Sequence, residues 1–214
     1  AIGRESLHQN TSGSNNVAVG KLALYTTTSS ENTAVGTEAL RLNTSGDKNT
    51  SIGFESLYSN TTASNNTAVG FQAGYSNTTG ASNTHLGKEA GKPITTGQQN
   101  TMLGYQAGNQ GGTGVSYSTY VGEGTGYSST GDYNTYIGHR AGVSMTSGAK
   151  NTILGRYSGN QGGLDIRTSS NNIVLSDGDG NPRLIVNSSG NVGIGTSSPA
   201  TTLDVRGIIT MDTK

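Results

Sequence analysis

Asn66-Thr67-Ala68-Val69-Gly70-Phe71-Gln72-Ala73-Gly74 is the stretch that decides the fold, because its opening pentapeptide, Asn-Thr-x-Val/Ile/Leu-Gly, returns along most of the chain. The closing glycines are Gly3, Gly20, Gly36, Gly53, Gly70, Gly87, Gly104, Gly122, Gly138 and Gly155, at gaps of 17, 16, 17, 17, 17, 17, 18, 16 and 17 residues. So regular a period means one structural unit used over and over. The pentapeptide has the alternation of a short strand, and the Ser/Thr/Gly/Asn stretches between copies have the chemistry of turns. The reading is an all-β repeat β-solenoid or β-roll with about seventeen residues per coil.

Side chains alternate across a strand, so each pentapeptide offers two faces. One carries Thr or Val (Val17, Thr33, Thr50, Thr67, Thr84, Thr101, Thr119, Thr135, Thr152) together with the aliphatic before the glycine (Val19, Val35, Ile52, Val69, Leu86, Leu103, Val121, Ile137, Leu154). This face is expected to form the core. The residue between them varies (Ala18, Ala34, Ser51, Ala68, His85, Met102, Tyr120, Tyr136, Ile153) and is expected to face solvent or a neighbouring subunit. Ahead of each strand stands Asn16, Asn32, Asn49, Asn66, Asn83, Asn100, Asn134 or Asn151, with Ser118 as the exception. Stacked asparagines predict a hydrogen-bonded ladder along the axis.

Four residues after the glycine the repeat changes type. Leu7, Leu24, Leu40 and Leu57 give way to Gly74, Gly91, Gly108, Gly126, Gly142 and Gly159. The repeat region, 1–163, therefore divides into a leucine block (1–60) and a glycine block (66–163), with a change in girth or subunit packing expected between them. Residues 164–214 break the period and read as a C-terminal β module. In it 171–176 and 183–187 flank the turn Asp177-Gly178-Asp179-Gly180-Asn181-Pro182 as a hairpin.

Composition limits the function. Hydrophobic residues are 30% of the chain, with no Trp and two Phe, too few for a large globular core. Thirteen residues of each charge sign give no basic excess for nucleic acid and no charged run for a membrane surface. No apolar stretch is long enough to cross a bilayer. With no cysteine to staple thin coils, lateral association of several chains is the expected remedy. Ala1-Ile2-Gly3 starts inside a repeat, so the chain is expected to be part of a longer protein.

Gly190-Asn191-Val192-Gly193-Ile194-Gly195-Thr196-Ser197-Ser198-Pro199, with Leu203-Asp204-Val205-Arg206-Gly207, resembles the segment preceding the intramolecular chaperone domain of endosialidase-type phage tail fibres and tailspikes. The resemblance implies a chaperone that directs trimerisation and then cleaves itself off, here missing after Lys214. Separately, the Asn-Thr-Ala-Val-Gly-x-x-Ala repeats resemble the heads of trimeric autotransporter adhesins, left-handed parallel β-rolls in each of three subunits. Both resemblances imply an elongated homotrimer with a surface-binding role.

Little in the sequence points to chemistry. His8, His85 and His139 occupy unrelated repeat positions without an evident carboxylate partner, and are expected as ordinary surface residues. Glu5, Glu38, Glu55 and Glu89, with Gln72 and Gln106, form a spaced stripe, not the facing pair that glycoside cleavage requires. Asp177-x-Asp179-x-Asn181 lacks the downstream glutamate of a calcium loop. No catalytic residue, metal ligand or cofactor is expected. The candidate ligand contacts are Tyr105, Tyr117, Tyr120, Tyr127, Tyr133 and Tyr136, crowded into one part of the array, with inter-subunit packing as the competing role. The insertion 111–116 is expected as a protruding loop beside them. Asn10, Asn43, Asn60 and Asn77 match the glycosylation pattern only because the repeat does.

The expected function is a homotrimeric tail-fibre segment on the virion, outside the cell, binding a host-surface glycan or outer-membrane receptor. It would join other tail proteins through a missing N-terminal part, without nucleic acid or membrane insertion. The alternatives are an adhesin head, a glycan-depolymerising tailspike, and an ice-binding solenoid. The last is disfavoured, because the threonines share a strand face with the aliphatics expected in the core.

Overall fold

The computed structural model describes residues 1–209, so the last five residues of the 164–214 module lie outside the described part. Nine three-residue strands mark nine coils: β1 (Val17–Val19), β2 (Thr33–Val35), β3 (Thr50–Ile52), β4 (Thr67–Val69), β5 (Thr84–Leu86), β6 (Thr101–Leu103), β7 (Thr119–Val121), β8 (Thr135–Ile137) and β9 (Thr152–Leu154). Successive strands pair in parallel with like positions opposite, Thr67 with Thr84 and Val69 with Leu86, for example. The fold is an all-β solenoid.

The period breaks near residue 163 but the sheet does not. A small antiparallel pair, β10 (Asn160–Gln161) and β11 (Leu164–Asp165), interrupts the coil. Then β12 (Ile173–Ser176) resumes the sheet in parallel against β9. β13 (Pro182–Val186) turns back on β12 as the expected hairpin, and β14 (Val192–Ile194) and β15 (Leu203–Val205) complete a thirteen-stranded sheet. At about 4.8 Å per strand, twelve spacings make a ribbon about 58 Å long.

The expected faces are reversed. The variable residue between Thr and the aliphatic points inward: Ala18, Ala34, Ser51, Ala68, His85, Tyr120, Tyr136 and Ile153 are fully buried and Met102 nearly so. The threonines and aliphatics point outward, half-buried or exposed. Alternation places two sets on opposite faces but does not say which face is inside. A coil this narrow has room for one small side chain on its strand, or one large one if another wall gives way.

That trade explains the leucine-to-glycine switch. In the leucine block, Ala18, Ala34 and Ser51 on the strand accompany buried Leu24, Leu40 and Leu57 at the corner. In the glycine block, His85, Met102, Tyr120, Tyr136 and Ile153 accompany glycine. A Cβ on Gly91 would lie 2.2 Å from His85 Nδ1, and one on Gly126 would lie 2.7 Å from the Tyr120 ring. Both corner types have positive φ, 49° at Leu40 and 60° at Gly91, so the leucines hold a left-handed conformation that glycine adopts without strain. The junction coil has both small partners, Ala68 and Gly74. It is filled from its neighbours, since a Cβ on Gly74 would meet Leu57 Cδ2 at 3.0 Å and His85 Cδ2 at 2.9 Å.

The asparagine ladder forms as expected. The backbone N–H of Asn49 donates to Asn32 Oδ1 at 2.9 Å, and Asn66, Asn83 and Asn100 repeat the bond one coil on. Ser118 keeps the ladder intact by accepting from the Asn134 N–H through its hydroxyl. A second stack, Asn43, Asn60 and Asn77, is also fully buried, which leaves none of these three open to a glycan. Asn60 Nδ2 donates to Asn43 Oδ1 and Asn77 Nδ2 to Asn60 Oδ1, both at 2.8 Å. The stack stops where Ile94 takes the next place, and Asn77 Oδ1 is left without a partner among the described residues. The repeat-closing glycines stack too: a Cβ on Gly36, at φ 136°, would sit 2.4 Å from the Gly53 carbonyl oxygen.

Candidate functional site

The Tyr-rich region separates into inside and outside. Tyr120 and Tyr136 stack within the core, ring centroids 5.1 Å apart, and are fully buried. They cannot contact a ligand on the surface, which corrects that expectation for both. Burial raises both phenol pKa values, and neither hydroxyl has a hydrogen-bond partner among the described residues. Tyr105, Tyr117 and Tyr133 are exposed and Tyr127 half-buried. Tyr117 and Tyr133 stack on each other at 4.7 Å, so much of their ring faces is already used. Tyr105 lies under Lys88 Nζ, 5.5 Å from the ring centroid. The structure therefore does not bring the six tyrosines to one site. The 111–116 insertion does not protrude freely either. Val115 is buried, and the Thr113 carbonyl accepts from the Thr95 N–H at 2.8 Å.

Two histidines also depart from expectation. His85 is fully buried, with both ring nitrogens unpartnered among the described residues. Burial without a counter-charge pushes its pKa down to about 4. His139 does have a carboxylate, Glu123, at 2.7 Å. The glutamate stripe is a ladder of side chains, Gln72 donating to Glu55 at 2.7 Å and Gln106 to Glu89 at 2.8 Å. At the hairpin turn, Asp177 accepts from the backbone N–H groups of Asp179 and Asn181 and pairs with Arg183. The Asn181 N–H, together with Arg183, holds its carboxyl at about 2.

Two surfaces stand out. The first is the outward sheet face. Its aliphatic column continues in register from Val19 through Leu154 into Leu175, Leu184, Ile194 and Val205. Its threonine column continues into Ile173, Val186, Val192 and Leu203. A half-polar face over the coils thus becomes wholly aliphatic over the last four strands, with Ile173 43% and Leu203 59% exposed. Sequence reasoning missed this face because it assigned these columns to the core. The signal available was the variability of the middle position, since the residue that trades volume with the corner is the interior one.

The second surface is a run of three adjoining clefts where the coils end. One, of about 210 Å³, includes Gln106, Glu123, Gly124, Tyr127 and Arg140 in its wall. The next, of about 180 Å³, shares Arg140 and Val143 and adds Arg156, Ser158, Gln161 and Asp179. The third shares Arg156 and reaches His139 and the 176–178 turn. The depression arises because side chains that fill the earlier coils are reduced here. Gly124 stands where Glu89 and Gln106 stand in preceding coils, and Val143 follows Tyr127. Arg140 lies over the bare Gly124, its Cγ 3.5 Å from where a Cβ would be.

Comparison with protein-family models, curated proteins and solved structures finds no match to this chain.

Proposed function

We propose that the chain is a rod-like segment of a homotrimeric surface fibre, a phage tail fibre in its closest reading, whose task is reach and attachment. The observation that carries this is the outward sheet face. Contiguous exposed aliphatics on a flat sheet are characteristic of surfaces that another protein covers. The thin interior of each coil leaves much of the chain's aliphatic surface outside, so association supplies the burial that a single chain lacks. The occupant is further copies of the same chain, because both columns run the whole length of the array in unbroken register. Association would be tightest at the wholly aliphatic end, beside the segment that resembles the lead-in to a trimerising chaperone.

Light scattering of the purified protein should give three chains of 21.8 kDa, about 65 kDa. A 21.8 kDa species would overturn the proposal. Leu175→Glu should dissociate the fibre while Glu31→Gln, on the exposed turn, leaves it intact.

The outward threonines also bring back the ice-binding reading, since Thr33 through Thr152 form one in-register row at the sheet spacing. The wholly aliphatic continuation favours a protein partner instead. Thermal hysteresis in the purified protein would support ice binding, and its absence is expected.

A further inference from the structure

We propose that the clefts around Arg140 and Arg156 bind an acidic saccharide chain, with the two guanidiniums reading its carboxylates. This rests on the reading of the protein as an attachment fibre and names its contact site. The chain has seven arginines. Arg4, Arg41, Arg167, Arg183 and Arg206 each have a carboxylate within ion-pair distance. Arg140 and Arg156 have none among the described residues, and these two line the same cleft.

A planar guanidinium presents paired donors that match a carboxylate in a two-point contact. The other groups suit a sugar. Gln106, Gln161 and Ser158 offer donors and acceptors for hydroxyls, while Val143 and the Tyr127 ring offer apolar surface for a pyranose face. Asp179 and Glu123 supply acceptors for hydroxyl protons at the margins. Adjoining clefts share Arg140 and then Arg156, so they lie side by side, an arrangement suited to several linked units in place of one small ligand. The first two clefts are lined mainly by residues that follow the repeat-closing glycines, past the end of the strands whose outward face is proposed to be covered by other chains. Three tracks on one fibre would multiply a weak contact by avidity.

The test measures binding of the assembled fibre to immobilised tetragalacturonate and tetrasialic acid, and to their methyl esters, with light scattering on the same samples. At least one acidic chain should bind. Its neutral ester should bind at least tenfold more weakly, Arg156→Gln should lower affinity tenfold or more, and Arg140→Gln/Arg156→Gln should abolish binding. No binding of either acid by an intact fibre, equal binding of acid and ester, or full binding by the double variant would each overturn the assignment. A 21.8 kDa species that still binds keeps the cleft assignment and overturns the fibre reading alone.

Discussion

The coils around Gly36 and those around Gly122 share a backbone and fill it in opposite ways. In the first, Ala34 on the strand faces Leu40 at the corner, and Asn43 takes the third interior position. In the second, the bulk sits on the strand as Tyr120, the corner is Gly126, and the third position has lost its asparagine to Ser129. The buried apolar residues accordingly fall into two clusters, one ending at Ala73 and the other starting at Ala90. The lesson is that a constant hydrogen-bonded wall fixes the cross-section, and interior volume can be redistributed within it as long as the sum is kept. Close packing penalises both excess and deficit.

The largest effect is expected from placing a leucine-block corner on a glycine-block strand. Gly91→Leu should destabilise by about 3 kcal/mol or more, since the new Cβ collides with the His85 ring. Adding His85→Ala, which recreates the Leu40–Ala34 arrangement, should recover most of that loss. A thermal-melt double-mutant cycle with no coupling between the two sites would refute the volume trade.

Acid tests the junction next. His85 titrates near its ordinary value when unfolded but only at about 4 when folded, so the unfolded chain takes up the proton first. Stability is therefore intact above pH 6.5 and falls as pH drops toward 4, by about 3 kcal/mol in all. His85→Leu should flatten that part of the pH profile relative to the parent protein. An unchanged slope would mean that the imidazole is not shielded.

Asn66→Ala, which removes one rung of the ladder and leaves the Asn83 N–H unpaired, should cost about 1–3 kcal/mol, read from the melting temperature. The smallest effect belongs to Tyr136→Phe. Its hydroxyl is buried without a partner among the described residues, so deletion should be neutral or stabilising by about 1 kcal/mol. A marked loss of stability would point to a buried water at that hydroxyl.

Part of this architecture was legible in the residues. The glycine gaps dictated a stacked coil, Asn32 to Asn100 dictated a ladder, and the turn at 177–182 dictated a hairpin. The two blocks were visible as a change from Leu57 to Gly74, but the partner that changes with them, from Ser51 to His85, was assigned to the wrong face. The arginine clefts had no sequence signal at all. Arg140 and Arg156 are sixteen residues apart and become neighbours only because one coil lies on the next.

The sequence by itself determined the period, the register and the hydrogen-bonded positions, because these depend on local spacing and on residue types that permit only a few backbone geometries. Which face is inside was decided only by the tertiary structure. Burial depends on how strand and corner divide the volume of a narrow coil, and alternation within a strand contains no information about that division.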